Sequence, residues 1–538
     1  MELTSRTLLV SNVKLPVNAS EQEAFSVALE KLRKSGYAFR EHTCRIYRRS
    51  IDARRRNELH FVYSVAVTAL YTRFPRSSTT DVTELCESTP EVVRGDEPLS
   101  ARPMIVGMGP CGLFAALLLA QEGYKPILID RGGSVAERTK DRLIFNTQKL
   151  LNPESNVQFG AGGAGTFSDG KLVTRINDPL SAFVLDTLIS LGAPESIRYV
   201  AKPHVGTDVL SVVVDRILNE IESLGGEVHY NTKLIDFTTD ANSVKTAKTT
   251  VGDFQIGALI LAIGHSARDT YSLLMSKNIS IEAKPFSVGM RIEHLAEDID
   301  KALYGDLAGH PALGHAEYNL SHDTKNRGVY TFCMCPGGEV VASSSEEGGL
   351  VVNGMSNNAR DGVNSNCAVV CSIFREDYGG APEKAITFQR NIEQNAFLAG
   401  IHPYFAPIIT VGDFLNDTLS HEPSRITPSY MGGSSTTLAR PEKYLPEFVC
   451  SSIKGALNAF DRRIPGFAAD DAVLTGAETR TSAPVRILRD NATRLAFGYT
   501  NLYPAGEGAG YAGGITSAAI DGLKTALSVI AKYKPLDG

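Results

Sequence analysis

The 538-residue chain lacks a long apolar run, an excess of positive charge and a secretory signal pattern. Its best apolar stretch, CGLFAALLLA at residues 111–120, is much shorter than the roughly 18 residues that a membrane span needs. With 54 Lys and Arg against 60 Asp and Glu, the net charge is −6, which argues against attraction of the whole chain to nucleic acid or anionic lipid. The first residues show no basic head followed by an apolar stretch, so we expect no secretory signal.

The chain also lacks a CxxC motif, although it contains eight cysteines. Cys333 and Cys335 are separated by one residue, and Cys367 and Cys371 lie four positions apart. These spacings differ from the pairs that hold structural zinc, so we expect no metal site. An even number of cysteines in so long a chain does not indicate a disulfide framework. We therefore expect reduced, mostly packed thiols and a cytoplasmic location.

Residues 1–95 differ in pattern from the rest and predict a small α+β domain. A short apolar run precedes a capping box formed by Ser20 and Glu23, and two β-branched and aromatic segments follow the helix. Ten Lys and Arg lie between residues 31 and 56, against two acids. We interpret this basic N-terminal face first as a solvated face and second as a docking surface for a protein partner. RNA is disfavoured because stacking aromatics are not interleaved with the charges.

The remainder predicts two further units. A polar, acidic segment at 76–103 leads into alternating strand and helix patterns, which are typical of a parallel sheet. The pattern becomes irregular after residue 285 and returns to strand, glycine and helix near the C-terminus. We therefore predict a discontinuous nucleotide-binding domain at 103–285 and 470–538, interrupted by an inserted α+β substrate domain at 286–469.

The strongest motif is MIVGMGPCGLFAALLLAQEGYKPILID, residues 104–130. In its GxGxxG turn, Gly107 permits a tight bend, Gly109 lets the main chain approach a diphosphate, and Gly112 lets the helix pack on the strand. The diphosphate would lie at the helix N-terminus, where free N–H groups favour anions. Asp130 ends the second strand, where its carboxylate can accept hydrogen bonds from a ribose diol. Neighbouring candidates for cofactor binding are Pro110, Cys111 and Arg131.

Two more segments match GxGxxG, at 160–165 and 508–513, but only the first match has the complete strand, turn, helix, strand and acid context. That first unit is nearly sufficient to bind NAD, whereas the larger FAD must also be contacted by segments that are distant in sequence. FGAGGAGTFSDGKL, NLYPAGEGAGYAGGITSAAIDG, LILAIGHSA and EVHYNTKLIDF are placed to do this, so the sequence favours FAD. Their candidate contacts are Gly162, Gly163, Thr166, Ser168, Lys233, Leu234, Gly264, Gly506, Glu507, Gly514 and Ile515.

The pieces together resemble the flavoproteins with two dinucleotide-binding domains, the glutathione-reductase-like superfamily. In that group an N-terminal GxGxxG with its ribose acid, a strand ending like LAIG and a C-terminal glycine–acid–helix segment contact FAD. More narrowly, FGAGGAGTFSDGKL, ETRTSAPVRI and YPAGEGAGYAGGITSAAIDG resemble a bacterial family of FAD-dependent dehydrogenases that carries a small N-terminal α+β domain. Where many superfamily members have Gly-Asp, this chain has Gly506-Glu507. The resemblance implies an α/β protein with a Rossmann-like FAD-binding domain.

Three residues are candidates for catalysis. His265 follows a strand end, where it would either face the cofactor or join an internal hydrogen-bond network. Arg480 would either clamp a carboxylate substrate or pair with Glu478, and Lys171 would either stabilise developing charge or form an ordinary ion pair. Asp169 is a weaker candidate for a general base.

We therefore expect an FAD-dependent oxidoreductase that transfers hydride or two electrons through flavin N5 with a small organic substrate. Because no second complete Rossmann unit follows residues 508–513, NAD(P)H would act as a transient donor. A disulfide reductase is disfavoured, since Cys111 lies in the phosphate turn and CxxC is absent. The alternatives are a flavin monooxygenase or saturase of the same superfamily, and a non-catalytic flavin-binding module that senses redox state or docks a partner.

Overall fold

The computed structural model describes residues 5–56, 58–75, 80–85, 92–174, 178–324 and 327–536. These residues form an N-terminal α+β unit, a unit built on a parallel sheet, and a unit built on a large, mostly antiparallel sheet. None of the helices in the described part of the chain is both long and apolar enough to cross a membrane.

The N-terminal unit is a four-stranded antiparallel sheet with one helix packed on it. Its strands, in spatial order, are Ala38–Asp52, His60–Arg73, Ser5–Pro16 and Val82–Glu84. The helix Glu21–Lys34 begins at the capping box that the sequence predicts, with Ser20 and Glu23 satisfying each other's main-chain N–H groups. Ala24, Ala28 and Leu32 recur every fourth residue on the buried face of this helix.

The parallel sheet has five strands, and successive side chains on them point to opposite faces. In spatial order the strands are Leu502–Pro504, Ala258–Leu261, Pro103–Val106, Ile127–Ile129 and Glu227–His229. On one face, Ile105, Leu128 and Ile260 pack against helices. On the other, Met104 and Leu259 pack against a three-stranded antiparallel sheet and the helix Arg268–Ser276. The helices of the first face are Pro110–Gln121, Leu180–Ser190, Thr207–Ser223 and Ile515–Ile530, and the strands of the small sheet are Leu234–Asp240, Ser243–Thr249 and Gly252–Gln255.

The third unit is a seven-stranded sheet surrounded by helices. Its strands, in spatial order, are Ser321–Thr324, Arg327–Cys335, Asn364–Ile373, Phe286–Leu295, Val473–Glu478, Ala406–Thr410 and Thr436–Leu438. The helices of this unit are Ala296–Tyr304, Arg375–Tyr378, Pro382–Ala399, Val411–Leu415 and Glu447–Asp461, and a hairpin joins Glu339–Ala342 to Val352–Met355.

The pairing of Val473–Glu478 differs from the predicted boundary at residue 470. This strand lies between Phe286–Leu295 and Ala406–Thr410, so the inserted sheet continues past residue 470. A buried run such as VLTGAE is compatible with either sheet, because periodicity does not show which strands it pairs with.

The N-terminal unit docks through main-chain hydrogen bonds as well as apolar contacts. Arg49 N–H donates to the Tyr199 carbonyl at 2.7 Å, and Ala201 N–H donates to the Arg49 carbonyl at 2.8 Å. Several cations of the basic N-terminal face have partners within this unit, including Lys31 with Asp81 at 2.6 Å. Part of the positive charge of this face is therefore compensated within the unit, which the composition alone does not indicate.

Candidate cofactor site

The first glycine turn is closed so tightly that only glycine fits it. Gly107 has φ +109°, and a Cβ there would lie 2.2 Å from the Ala262 carbonyl oxygen. A Cβ on Gly112 would lie 1.8 Å from the Gly107 carbonyl oxygen, because the helix Pro110–Gln121 packs directly on the turn. Gly109 differs, since the nearest atom to its Cβ position is 3.9 Å away. A side chain at Gly109 would therefore meet only an ordinary van der Waals contact with Gly163, unlike one at Gly107 or Gly112.

Two helices around this turn begin without the usual side-chain cap. Pro110–Gln121 starts at Gly109 and Ile515–Ile530 starts at Gly514, and neither has a capping side chain or an acid in its first turn. By contrast, Val135–Gln148 begins with a complete capping box. The uncapped N–H groups of the two helices, together with their dipoles, are available to an anion.

The second glycine-rich segment lies against both of these helix N-termini. A Cβ on Gly163 would lie 2.9 Å from Gly109 Cα, and one on Gly165 would lie 3.2 Å from the Ile515 side chain. Gly162 N–H donates to the Met108 carbonyl at 2.8 Å. Segments that are some 50 and 350 residues apart in sequence therefore meet at one place, as the sequence predicts.

The C-terminal segment completes the same site. A Cβ on Gly506 would lie 2.8 Å from Cys111 Cβ, and one on Gly508 would lie 2.5 Å from the Gly264 carbonyl oxygen. Burial raises the pKa of the Cys111 thiol. Cys111 therefore acts as a packing residue under the glycine loops, consistent with the expectation that it is not a redox thiol.

Asp130 joins the loops through its carboxylate. It accepts hydrogen bonds from the main-chain N–H groups of Met108 at 2.7 Å, Gly132 at 2.9 Å and Gly160 at 2.9 Å. Its predicted hydrogen bond to a ribose stays a prediction, but its position at the end of Ile127–Ile129 agrees with that role. The three bonds show an additional task that the motif did not reveal, which is to hold two glycine loops together.

Beside Asp130 lies a small pocket with a volume of about 30 Å³. The predicted cofactor residues among its lining are Gly107, Asp130, Arg131, Lys233 and Leu234, and the rest of the lining is Val106, Phe159, Thr232, Ile263, Ala267 and Thr270.

The two cations at this pocket are held in place by acids. Arg131 donates to Asp269 at 2.7 Å and lies over the Phe159 ring at 4.5 Å. Lys233 bonds both Glu154 and Asp269 at 2.7 Å. The pocket therefore combines an apolar floor with fixed polar groups.

Thr166 and Ser168 differ from their predicted role as hydroxyl donors to the cofactor. Thr166 donates to the Ala161 carbonyl at 3.1 Å, and Ser168 donates to the Gly165 carbonyl at 2.7 Å. Both hydroxyl protons are thus used within the loop, where they fix the short 3-10 helix Gly163–Phe167. The sequence could not show this because a glycine-rich segment has no regular hydrogen-bond pattern.

Arg480 is neither free for a substrate nor paired with Glu478. It forms a bidentate ion pair with Glu393, with distances of 3.2 and 3.0 Å, and Arg268 binds the same carboxylate at 2.7 and 2.8 Å. Glu478 instead pairs with the fully buried Arg291 at 2.8 Å. Burial opposes ionisation of Glu393, but the two arginines outweigh it and lower its pKa.

His265 lies beside this cluster. Burial, followed by the charges of Arg480 and Arg268, lowers the pKa of His265 to about 3, so its imidazole is neutral at physiological pH. Its Nε2 atom is buried and has no hydrogen-bond partner among the residues described. A neutral imidazole with one free ring nitrogen next to Gly264 can contact a bound group, but it is not a source of a proton near pH 7.

Glu507 is a buried acid in the C-terminal glycine loop. Burial raises the pKa of Glu507 to about 7, although the charge of Lys284 opposes this. A group that donates hydrogen bonds to this carboxylate would favour its charged form. The environment therefore agrees with the predicted contact to ribityl hydroxyls.

Lys171 belongs to a second buried charge cluster. Its Nζ donates to Asp169 at 2.7 Å and to the Met334 carbonyl. Asp169 also binds Arg360 at 2.5 Å and accepts from Ser356. Burial raises the pKa of Asp169, but the two cations outweigh it and hold it below the ordinary value. Asp169 is thus a paired carboxylate and does not act as a general base in this arrangement.

The residues that sequence analysis missed are the partners in these clusters. Glu393 and Arg268 lie on two separate helices, and Arg360 lies in a loop between two strands. No motif or spacing connects them with Lys171 or Arg480. Only the folded chain brings them to the contact between the parallel-sheet unit and the inserted sheet.

Comparison with known proteins bears on the cofactor. Residues 285–481 match the family "FAD-dependent protein, C-terminal domain-like", and residues 8–68 match "Domain of unknown function (DUF8436)". The family match confirms the prediction that the cofactor is FAD. Glycine oxidase from Bacillus cereus is a structural neighbour with 10% identity, over 81% of this chain and 99% of its own, at a TM-score of 0.35. L-amino acid deaminase from Proteus vulgaris has 12% identity, over 84% of this chain and 98% of its own, at a TM-score of 0.32.

The similarity to one bacterial sequence is much higher. A protein of Clostridium beijerinckii (strain ATCC 51743 / NCIMB 8052), described as "Uncharacterized protein", is 46% identical over 525 residues, which cover 96% of this chain and 98% of that protein. The chain therefore belongs to the same family as this Clostridium beijerinckii protein.

Proposed function

We propose that this protein is an FAD-dependent oxidoreductase that transfers hydride or two electrons through flavin N5 to or from a small organic substrate. The observation that carries the proposal is the convergence of three separate glycine-rich segments on two uncapped helix N-termini. The proposal extends to membership of the glutathione-reductase-like superfamily.

The residues of the chain divide the work of holding FAD. The N-terminus of Pro110–Gln121 would bind the diphosphate, and the pocket beside Asp130 would hold the adenosine. Glu507 would accept hydrogen bonds from ribityl hydroxyls, and the N-terminus of Ile515–Ile530 would stabilise negative charge on the reduced ring. FAD supplies the two-electron chemistry, and the protein positions it.

The substrate would bind where the parallel-sheet unit meets the inserted sheet. The cations in this region, Arg268, Arg480, Lys171 and Arg360, are all compensated by buried acids. They connect the two units, and the neutral His265 beside them keeps a ring nitrogen without a hydrogen-bond partner among the residues described. NAD(P)H as a transient donor and a protein partner at the basic N-terminal face are further parts of this proposal.

Anaerobic reduction of the purified protein tests the function. We expect a yellow protein with a two-band flavin spectrum that NADH or NADPH bleaches under nitrogen. Oxygen consumption only in the presence of an organic substrate would favour a monooxygenase, and a flavin inert to all donors would favour a redox-sensing or partner-docking module.

Replacement of Asp130 tests the placement of the cofactor. Asp130→Ala removes the carboxylate from three main-chain donors and from the predicted ribose, so we expect at least a tenfold loss in flavin retention. Asp253→Ala, in the exposed strand Gly252–Gln255, is the matched control and should keep its flavin. Normal flavin content in Asp130→Ala would contradict the placement.

A further inference from the structure

Cys333 and Cys335 lie at an irregularity in the strand Arg327–Cys335. The register with the strand Asn364–Ile373 shifts between Phe332 and Cys335, and Cys333 has a left-handed φ of +46°. Residues i and i+2 of a regular strand are roughly 6.5 Å apart on the same face, whereas a bulge redirects the side chains locally. Here the Cys335 thiol folds back and donates to the Cys333 carbonyl at 3.3 Å.

The two thiols have unlike surroundings. Cys335 is fully buried, whereas Cys333 is half-buried. A hydrogen bond from the Cys335 thiol, followed by the charges of Arg291 and Lys171, lowers the pKa of Cys333, and the same contact raises the pKa of Cys335. One sulfur is thus set up as a thiolate and its neighbour as a thiol, which is the arrangement of a reactive dithiol.

Two cations contact this turn. An Arg291 guanidinium nitrogen lies 3.1 Å from the Cys333 carbonyl oxygen and 3.9 Å from Cys335 Sγ. Lys171 donates to the carbonyl of Met334, between the two cysteines. The position of the guanidinium depends on Gly354, because a Cβ there would lie 2.0 Å from Arg291.

The lowered pKa of Cys333 distinguishes it from the other cysteines in the described ranges. Burial raises the pKa of five of them, Cys44, Cys111, Cys367, Cys371 and Cys450, and these thiols agree with the expectation of packed, unreactive cysteines.

Lys171 connects the cysteine turn with the cofactor site. It follows the 3-10 helix Gly163–Phe167 by four residues, and that helix contains the glycines that pack on Gly109 and Ile515. The cysteine turn therefore touches the segment that lies along both uncapped helix N-termini.

We propose that Cys333 and Cys335 form a redox-active dithiol that exchanges two electrons with FAD, so that the physiological substrate class includes thiols or disulfides. The proposal rests on the proposed function. When the thiolate–thiol pair is oxidised, the S–H bond of Cys335 breaks and one S–S bond forms. The two electrons and that one proton pass to oxidised FAD. Reduction of the disulfide runs the same step in reverse.

An anaerobic dithionite titration of the holoenzyme, first oxidised with glutathione disulfide, tests this proposal. Because flavin and disulfide are each two-electron couples, we expect the wild type to take up about four electrons per FAD. Cys335→Ser and Cys333→Ser should each take up about two while keeping the flavin spectrum. The control Cys44→Ser, in the N-terminal unit, should still take up about four. Uptake of about two electrons by the wild type would overturn the proposal.

Thiol counting separates this proposal from the proposed function. The oxidised protein is denatured, alkylated and weighed, and we expect two fewer modified cysteines than in the dithiothreitol-reduced protein. Protein that contains no flavin would overturn the proposed function and the exchange with FAD. In that case the alkylation count still tests the dithiol, which a difference of two supports and no difference overturns.

Discussion

The glycine loops and the charged contact beside them are built in opposite ways. In the loops, the contacts are made by the main chain. Gly107 and Gly112 are required because neighbouring main-chain atoms occupy the space of a Cβ. At the contact with the inserted sheet, the interactions are made by long charged side chains, as in the binding of Glu393 by Arg268 and Arg480. The first kind of site is local in sequence and the second is not.

The difference determines what can be inferred from sequence. The turn around Gly109, the acid Asp130 and the three converging segments were predictable because each is a short motif with its own physical reason. Lys233 and Leu234 were predicted from the strand-like segment EVHYNTKLIDF, and both line the pocket beside Asp130.

Side-chain partners were much less predictable. The sequence offers Arg480 either a carboxylate substrate or Glu478, two positions away, but its partner Glu393 is 87 residues away. The boundary at residue 470 was misplaced for a similar reason, since strand pairing is set by tertiary contacts. The bulge at Cys333 was also invisible, because it depends on the register with a strand some 30 residues further along the chain.

The largest effect on stability is expected when the charged contact is broken. Glu393→Gln removes the carboxylate that the buried Arg268 and Arg480 share and leaves only Glu346, 2.8 Å from Arg268, to compensate them, so we expect the free energy of unfolding to fall by about 3 kcal/mol in urea denaturation. Glu383→Gln, on the exposed face of the same helix Pro382–Ala399, should change it by less than about 0.5 kcal/mol. Equal effects of the two changes would show that the cluster is not the source of stability at this contact.

The next effect tests the main-chain side of the comparison. Gly112→Ala places a Cβ 1.8 Å from the Gly107 carbonyl oxygen, so the helix must move away from the turn. We expect loss of most bound flavin and about 3 kcal/mol of stability, measured by absorbance and by urea denaturation. Gly455→Ala, where the Cβ would meet only the Thr324 side chain at 3.4 Å, is the control and should leave both unchanged or slightly improved. A Gly112→Ala protein that keeps as much flavin as the wild type would contradict the close packing of the helix on the turn.

The smallest effect concerns Glu507, a buried acid in the C-terminal glycine loop. Burial raises the pKa of Glu507 from 4.5 to about 7, so between these values the folded apo-protein holds a proton that the unfolded chain has released. Its free energy of unfolding should therefore fall, by on the order of 2 kcal/mol, as the pH rises from about 4.5 to 7. Glu507→Gln should lack this fall. Parallel pH profiles for the two proteins would show that Glu507 is solvated.

The flavin content of the purified wild-type protein tests the central claim most directly. If three segments of the chain converge to hold one cofactor, acid release should yield about one FAD per chain, together with a two-band visible spectrum. A colourless protein that yields no FAD, and that takes up none when it is added, would contradict the account.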